Sequence, residues 1–372
     1  MKLRILLLAI PVFFFVASSN TYGQTQKKVV FEFFTSASCG NCPTGIGEIQ
    51  RLLNEYGEDR IIWISHHAGW LWDPMLFDEI NTIANDFASG APTGMIDRTN
   101  NLGSTWLATT PTTWENQIIN ALAESATVWI TFSGNYDDAS RTIDFSVAAR
   151  FESNVDPGDF RLNVMILENN VNEGTSQYNQ ANYFNNSSGH PFEGAGNPII
   201  GYQHKNVTRA VLDDAWGTEN VIPDNPALNT DYSSNYSYTL PENFDETEIS
   251  IVAFVSYYDN DADNREILNG DVIHIDDLTT ATSTNSISYV ESFGISPNPA
   301  TGSTLVTINS TIANSVTMQL MHVNGQRVKT FNSELQTGVN NIPLSLEGLP
   351  AGTYLLVISD GIEQVTRKLI VK

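Results

Sequence analysis

The sequence predicts an α/β domain followed by two all-β domains. Strand-like apolar segments alternate with amphipathic helical segments over residues 24–125, which is the pattern of an α/β fold. Over residues 126–277, apolar and polar residues alternate with period two, as they do in an antiparallel sandwich. From residue 293, short apolar strands separated by glycine-containing turns indicate a second, smaller β-sandwich. A chain of 372 residues has room for these domains.

The first residues predict export. Lys2 and Arg4 flank the start of an apolar run at residues 5–17, and the small residue Gly23 follows. This order is typical of a secretory signal peptide, here residues 1–23. An uncleaved anchor is the alternative, but the run is short for a bilayer and no later segment has the apolar length of a membrane helix. We therefore predict no transmembrane segment in the mature protein.

The composition excludes one class of partner. The chain has 18 basic and 42 acidic residues, which gives a net charge of −24. Nucleic acids and anionic lipids are bound through basic patches, so neither is an expected partner. The sequence also predicts no bound cofactor.

Cys39 and Cys42 are the only cysteines of the chain. Outside the cytoplasm they can form a lasting disulfide, but a structural bridge across so short a loop stabilises little. A zinc site needs four ligands, and only His66 and His67 could supply the two that the cysteines do not. Redox chemistry is the remaining interpretation.

The residues around the cysteines support redox chemistry. An apolar, β-rich segment precedes them, and apolar residues follow at helical spacing: Ile46, Ile49, Leu52, Leu53 and Tyr56. Pro43 fits an early helical position. Cys39 then lies just before a helix N-terminus, where the dipole and free N–H groups favour the thiolate. We predict that Cys39 is the attacking thiol and Cys42, inside the first turn, the resolving one.

The order strand, C-x-x-C, helix, strand, helix, Pro-Thr, strand, helix resembles the thioredoxin fold over residues 28–125. This resemblance implies that Pro92 is a cis-proline facing the cysteines. It also implies that Glu32 is a buried acid with a raised pKa that takes a proton from the second thiol. A half-exposed position at a strand edge is the alternative for Glu32. The chain departs from thioredoxin in its Gly40-Asn41 dipeptide and its weak fourth strand, for which residues 103–110 are the only candidate.

Other polar residues have open roles. His66 and His67 end the second predicted strand on the side of the cysteines, where they either tune the thiolate or are ordinary polar residues. A long polar insertion at about residues 169–200 is either functional or disordered. His204 and Arg209 follow it and either anchor this loop or bind a ligand. Alternate acidic residues, Asp259, Asp261 and Asp263, have a spacing that suits calcium, but the glycine and glutamate of an EF-hand are missing, which favours a solvated turn.

The β-rich segment 126–277 predicts an immunoglobulin-like sandwich. Together, "FEFFTSASCGNCP", "APTGMIDR" and "YQHKNVTR" resemble the outer-membrane-protein-28-related family of Bacteroidota over residues 28–277. The founding type of that family is described as a lipid-anchored surface protein and candidate adhesin. This chain lacks a lipid-acceptor cysteine near the cleavage site, so the resemblance supports the architecture more than an activity.

The C-terminal part differs in charge and motif. A Ser/Thr-rich linker is predicted at residues 278–292. Beyond it the net charge is +1, against −27 between the signal peptide and this part. Residues 293–372 resemble the type A sorting domain of type IX secretion through "SPNPATG", "HVNGQRV", "GLPAGTYLLVI" and the terminal "RKLIVK". The resemblance implies the type IX secretion machinery as a partner, with export through the periplasm to the outer-membrane surface or the medium.

Two functions remain after these observations. The first is thiol–disulfide exchange on exported proteins, whose thiols or disulfides would be the substrates of Cys39 and Cys42. The second is non-enzymatic surface binding or adhesion, with the disulfide as a structural bridge. The fold does not decide between them, because one fold hosts many functions.

Overall fold

The computed structural model describes residues 27–100, 102–278, 287, 289–322, 327–360 and 364–372. The chain forms two compact units, which meet in sequence between Leu278 and Thr279. The predicted signal peptide and most of the predicted linker lie outside the described residues. In the part of the chain that is described, no helix is long and apolar enough to cross a membrane.

The N-terminal segment alternates strands and helices as its sequence predicts. Its elements are β1 (Val29–Thr35), α1 (Cys42–Tyr56), β2 (Ile61–His67), α2 (Asp78–Phe87), β3 (Thr93–Ile96) and α3 (Trp114–Leu122). Residue types that favour a helix N-terminus lie where these helices begin. Pro43 is in the first turn of α1, and two acidic residues are in the first turn of α2.

The buried strand β1 organises this segment. It pairs in parallel with β2 and antiparallel with β3, and every one of its residues is buried. Phe31 and Phe33 pack against Trp114 of α3 on one face, with ring centroids 4.9 and 5.8 Å away. Val30 and Phe34 pack in the core that includes α2 on the other face. Coverage on both faces explains why the strand reads as one apolar run.

The expected fourth strand is reduced to a single bridge. Thr109 and Gly94 exchange backbone hydrogen bonds of 2.7 and 2.9 Å, and no strand forms between β3 and α3 among the described residues. Residues 103–110 therefore provide one antiparallel contact beside β3 and the entry to α3.

The next segment is all-β, and its strands divide between two sheets. They are β4 (Val128–Asp137), β5 (Thr142–Phe151), β6 (Phe160–Glu168), β7 (Val207–Leu212), β8 (Asp231–Thr239), β9 (Ile249–Tyr257) and β10 (Ile267–His274). The strands β4, β5 and β8 form a three-stranded antiparallel sheet. Its apolar face shares one core with β6 and β9, so the two sheets face each other as in a sandwich.

The second of these sheets is continuous with the N-terminal sheet. Its strand order is β10-β9-β6-β7-β2-β1-β3, and the join is a parallel pairing of β2 with β7 at Ser65 and Val207. The sequence predicts separate domains at 24–125 and 126–277, whereas the described residues up to Leu278 form one compact unit. The period-two pattern identifies strands and their buried faces, but it does not carry the identity of the neighbouring strand.

Residues 279–372 form the second unit. Its strands are β11 (Val290–Thr301), β12 (Ser303–Ser310), β13 (Asn314–His322), β14 (Arg327–Leu335), β15 (Gly338–Ser345), β16 (Gly352–Ser359) and β17 (Gln364–Val371). The order is β14-β13-β16-β17-β11-β12-β15, and β11 joins β17 through one bridge at Ala300 and Val371. One hydrophobic core contains residues from strands on both sides of this bridge, among them Val306, Met318 and Leu356. The middle of the predicted "HVNGQRV" motif, residues 323–326, lies outside the described residues.

Candidate functional site

The two cysteines form a disulfide at the start of α1. Their Cα atoms are 5.4 Å apart. Cys42 is the first residue of α1, and Cys39 lies in the preceding turn, where its carbonyl accepts a hydrogen bond of 3.2 Å from the Cys42 N–H. The sequence predicts this order of residues. The positive end of the α1 dipole therefore lies at the disulfide, while the N–H groups of Cys42 and Thr44 donate to the carbonyls of Cys39 and Asn41.

Pro92 directly precedes β3. The Ala91–Pro92 peptide bond is cis, as the resemblance to thioredoxin implies. In the register of β1 and β3, Phe34 lies opposite Thr93. Pro92 therefore lies at the end of the sheet where β1 leads into the turn of Cys39.

Glu32 differs from its expected role. It is fully buried, and the Arg98 guanidinium donates to both of its oxygens, at 2.8 Å from Nε and 2.9 Å from Nη2. Burial raises the pKa of Glu32, but Arg98 and His66 outweigh burial and lower that pKa to about 2. The prediction of a raised pKa is wrong, because the sequence did not reveal the buried cation. Glu32 is a member of a buried ion pair and is ionised at neutral pH.

His66 and His67 are both buried and both engaged. The His66 ring lies between Glu32, 3.1 Å from Nε2, and the hydroxyl of Thr208, 3.0 Å from Nδ1. His67 Nδ1 lies 2.8 Å from a carboxylate oxygen of Asp73. These contacts occupy the histidines within the fold, so neither completes a zinc site with the cysteines.

Asp73 is a residue that the sequence analysis missed. Its carboxylate accepts a hydrogen bond of 2.6 Å from the N–H of Ala37, two residues before Cys39. Burial raises the pKa of Asp73, but the charge of His67 and further hydrogen bonds outweigh it and lower that pKa to about 2. Asp73 thus connects His67 to the turn that carries Cys39. The only signal in the sequence was an acid six residues after a histidine, which is too common to identify such a contact.

The polar insertion covers the disulfide. We define the cap as residues 171–204, whose ends are joined by backbone hydrogen bonds of 2.9 and 3.1 Å between Val171 and His204. A second bridge joins Gln180 and Ile199. The cap is described throughout and is ordered by internal contacts, such as those of the buried Asn182 side chain with two cap carbonyls at 3.0 Å. The insertion therefore has a defined structure.

Hydrogen bonds from three cap residues join the cap to the turn of the disulfide. The N–H groups of Ala181 and Tyr183 donate to the carbonyls of Ala37 and Gly40, each at 2.8 Å. The side-chain amide of Gln180 donates to the carbonyl of Cys39 at 2.9 Å. Under this cover Cys39 is 3% exposed and Cys42 is 0% exposed. A disulfide this deeply buried is closed to a large partner unless the cap moves.

His204 and Arg209 hold the cap from its base. His204 Nε2 lies 2.8 Å from the carbonyl of Tyr178, a cap residue. Arg209 lies 3.2 Å from Glu168 and 3.5 Å from the cap residue Glu173. These contacts support the loop-anchoring interpretation of both residues. Burial, together with the charge of His67, lowers the pKa of His204 to about 3.

A second buried acid lies at the other end of the sheet. Asp97 follows β3 and accepts a hydrogen bond of 2.8 Å from the N–H of Val30, near the start of β1. Burial raises the pKa of Asp97 to about 6, although the Lys27 ammonium, 3.1 Å away, acts in the opposite direction. Because the disulfide lies beyond the other end of β1, this acid does not belong to the cysteine site.

The acidic run follows β9 in a turn. Asp259 and Asp261 each accept a hydrogen bond from the N–H group two residues later, at 2.8 and 3.1 Å. Asp263 accepts one of 3.2 Å from the side chain of Asn100. Within the described ranges, no group of three or more His, Cys, Asp or Glu side chains is placed to hold a metal ion.

Two family profiles match the chain. The profile of "Outer membrane protein Omp28" matches residues 81–275, and that of "Secretion system C-terminal sorting domain" matches residues 294–372. No curated protein matches the chain. The two matches identify a secreted or cell-surface protein associated with the outer membrane, and the sorting domain implies handling by the type IX secretion machinery.

Two solved structures are compared with the chain, and one of them shares its fold. HBP35 of Porphyromonas gingivalis has a TM-score of 0.55 and 18% identity, over 94% of this chain and 100% of that chain. A domain of the outer membrane lipoprotein Omp28 from Porphyromonas gingivalis has 18% identity, covers 42% of this chain and 89% of its own, and has a TM-score of 0.23. At this identity the first match shows a common fold only.

Proposed function

The chain belongs to the outer membrane protein Omp28 family, and from this premise we propose that it is a cell-surface thiol–disulfide exchange protein for exported proteins. Cys39 and Cys42 would be the reacting residues, with Pro92 beside them. The observation that carries the proposal is the disulfide at the N-terminus of α1, at the end of the sheet where the cis-proline precedes β3.

The arrangement of the first three strands supports a thioredoxin-like interpretation of residues 24–125. A parallel pair, β1 and β2, is extended by the antiparallel β3, and the C-x-x-C turn links β1 to α1. The missing fourth strand and the shared sheet are departures from that pattern. In this proposal residues 126–277 remain an immunoglobulin-like sandwich in their facing layers, although four of their strands extend the first sheet.

The proposed reaction conserves atoms and electrons. A partner thiolate attacks the sulfur of Cys39, the Cys39–Cys42 bond breaks, and Cys42 leaves as a thiolate. A second partner thiolate then attacks the partner sulfur of the mixed disulfide and releases Cys39. Two partner thiols are oxidised to one disulfide, and the cysteine pair is reduced. The same steps in reverse reduce a partner disulfide.

The charges around the cysteines limit which groups move protons. Glu32, with its pKa lowered to about 2 by Arg98, stays ionised at neutral pH and has no role as a proton acceptor in our scheme. In this scheme the positive end of the α1 dipole stabilises the Cys39 thiolate. The ion pair of Glu32 and Arg98 ties β1 to the residues that follow β3.

A second candidate function rests on the burial of the disulfide. Because Cys39 and Cys42 are almost fully covered, they also suit a structural bridge within a surface-binding protein. Such a protein would bind its partner elsewhere on its surface, with the disulfide closed throughout. Reactivity of the cysteines in the exported protein separates the two candidates.

Trapping of mixed disulfides tests the exchange function. Cys42→Ser leaves the attacking thiol without its resolving partner, so we expect this variant to accumulate mixed disulfides with exported proteins. Cys39→Ser should capture few, because Cys42 is fully buried in the first turn of α1. Non-reducing electrophoresis of surface and periplasmic fractions reads out the result, with the double serine variant as the matched control. If neither single variant captures a partner, and the wild type neither oxidises nor reduces a test disulfide, the structural bridge is the correct interpretation.

A further inference from the structure

The cap lies on the disulfide turn in the manner of a bound polypeptide. Ala181 and Tyr183 donate to carbonyls of the turn through N–H groups two residues apart. In an extended chain, N–H groups at this spacing point to the same side. The contact is therefore made by main-chain atoms, which any extended polypeptide can supply.

One side chain of the cap is seated on the turn as well. A Cβ atom placed on Gly40 would come within 2.4 Å of the Tyr183 ring. The ring therefore occupies the space that a side chain at position 40 would need. Tyr183 is itself 68% exposed. Its ring thus covers the turn from outside and fills no interior space, which is the position that an aromatic side chain of a docked partner would take.

The closed cap carries an energetic cost at Gln180. This side chain is fully buried, and its amide nitrogen donates to the carbonyl of Cys39 at 2.9 Å. Among the described residues, its Oε1 has no hydrogen-bond partner. A buried acceptor without a partner is unfavourable, so this segment is released more readily than one in which every buried polar atom is hydrogen-bonded.

Apolar surface next to the turn completes the docking surface. The Ser38 hydroxyl donates to the carbonyl of Trp72 at 2.6 Å, so the loop of Trp72 also contacts the disulfide turn. Leu71 and Trp72 are 46% and 60% exposed. Large exposed apolar side chains beside a covered reactive group suit a polypeptide partner better than a small polar molecule.

We propose that the cap occupies, within the same chain, the surface on which an extended segment of a partner polypeptide docks beside Cys39. Cap and partner compete for the carbonyls of Ala37 and Gly40, and an aromatic residue of the partner replaces Tyr183. This inference rests on the proposed function for the identity of the partner. It adds the substrate class, an extended polypeptide with an aromatic residue, and the event that controls access, which is displacement of the cap.

A shortened cap tests the cover. Gln180 and Ile199 are bridge partners, with the Ile199 N–H donating to the Gln180 carbonyl at 2.8 Å, so a two-residue Asn-Gly turn can replace residues 181–198. In the full chain, we expect dithiothreitol to reduce the Cys39–Cys42 disulfide of this variant at least about ten-fold faster than in the wild type. An unchanged rate overturns the proposal.

A peptide supplied in trans tests the docking surface. A blocked peptide of residues 181–185 should bind the shortened variant and slow its reduction by at least about five-fold at saturation. The same peptide with Tyr183→Ala is the matched control and should protect much less. Equal protection by both peptides, or by neither, overturns the proposed seat for an aromatic side chain.

A substitution in the intact chain covers the case in which the shortened variant fails to fold. Gly40→Ala should displace the Tyr183 ring and speed reduction, whereas Gly294→Ala, at a glycine with no other atom within 4 Å of the added Cβ, should not. Equal rates in these two variants overturn the proposal. None of these rates requires exchange activity. If the chain captures no partner in the trapping experiment but passes these tests, the exchange function is rejected. The proposal that the cap occupies a polypeptide-binding surface then still stands.

Discussion

At the scale of the residue, Glu32 shows how a neighbour reverses the chemistry of a buried acid. Burial alone raises the pKa of a carboxylate, which is what the comparison with thioredoxin implies for this position. Arg98, placed just after β3, forms two hydrogen bonds with Glu32 and is itself flanked by the rings of Phe87 and Phe254, each 5.0 Å away. The pair lies 66 residues apart in sequence, so no local pattern announces it. The result is a buried ion pair between β1 and the residues that follow β3.

His204 makes the free energy of unfolding depend on pH between its unfolded-state and folded-state pKa values. Its folded-state pKa is lowered from 6.5 to about 3, chiefly by burial. Between these values the unfolded state binds one proton more, so the free energy of unfolding falls as pH is lowered from 6.5, by up to about 1.4 kcal/mol per pH unit. Urea unfolding of the full chain between pH 6.5 and 4.5 measures this slope.

Two variants isolate the contribution of His204. His204→Asn removes the titrating group, so its unfolding free energy should vary less steeply with pH than that of the wild type. Thr82→Ser exchanges one non-titrating residue for another on the exposed side of α2 and should keep the wild-type slope. The window ends at pH 4.5 because Glu32 and Asp73, whose pKa values are lowered to about 2, lose their own stabilising contributions below it. A His204→Asn variant with the wild-type slope would contradict the assignment.

At the scale of the element, packing overrides helix propensity in α1. Gly45 is the fourth residue of this helix, where alanine would be favoured by up to about 1 kcal/mol on propensity alone. A Cβ atom there would approach the Phe33 ring to 2.7 Å and the Trp114 ring to 3.1 Å. Overpacking of this kind costs about 1–3 kcal/mol, so we expect Gly45→Ala to lower the free energy of unfolding by about 1–2 kcal/mol.

Gly47 of the same helix is the matched control for Gly45. A Cβ atom at Gly47 would reach only the ring of the cap residue Pro191, at 3.2 Å. We expect a smaller loss from Gly47→Ala, measured in the same urea titration. Equal stability of the Gly45→Ala variant and the wild type would show that the two rings can move apart, contrary to a tightly packed contact.

The cap is the element that sequence patterns described least. Its composition is polar and without period, which predicted only that it is functional or disordered. Its order comes from contacts with a distant part of the chain, such as the 141-residue separation between Gln180 and Cys39. Contacts of main-chain atoms leave almost no trace in side-chain identity. For this reason the burial of the cysteines was not predicted.

At the scale of the whole molecule, the first unit has hydrophobic cores of its own, which do not include residues of the sorting domain. The core of the second unit contains only residues from Ile287 to Val371, and the other cores contain only residues up to Leu278. We therefore expect a chain without residues 279–372 to fold, with the unfolding temperature of the first unit unchanged. Because it lacks the sorting domain, it should remain in the periplasm.

Fractionation and protease treatment of intact cells measure the location of the truncated chain. The matched control attaches residues 279–372 to an unrelated exported protein, which should then reach the surface. Truncated protein on the cell surface at the normal level would reject the sorting role of this unit.

The sequence by itself determined the local features of this protein. It determined the strands and helices of the first segment, the place of Cys39 before a helix, and the sorting domain. These follow from short-range periodicity, turn chemistry and linear motifs. Only the tertiary structure decided that β7 joins β2, that Arg98 fixes the charge of Glu32, and that the cap buries the disulfide. Each of these is a pairing between distant segments, and strand edges, buried charges and main-chain carbonyls accept many partners until the whole chain has packed.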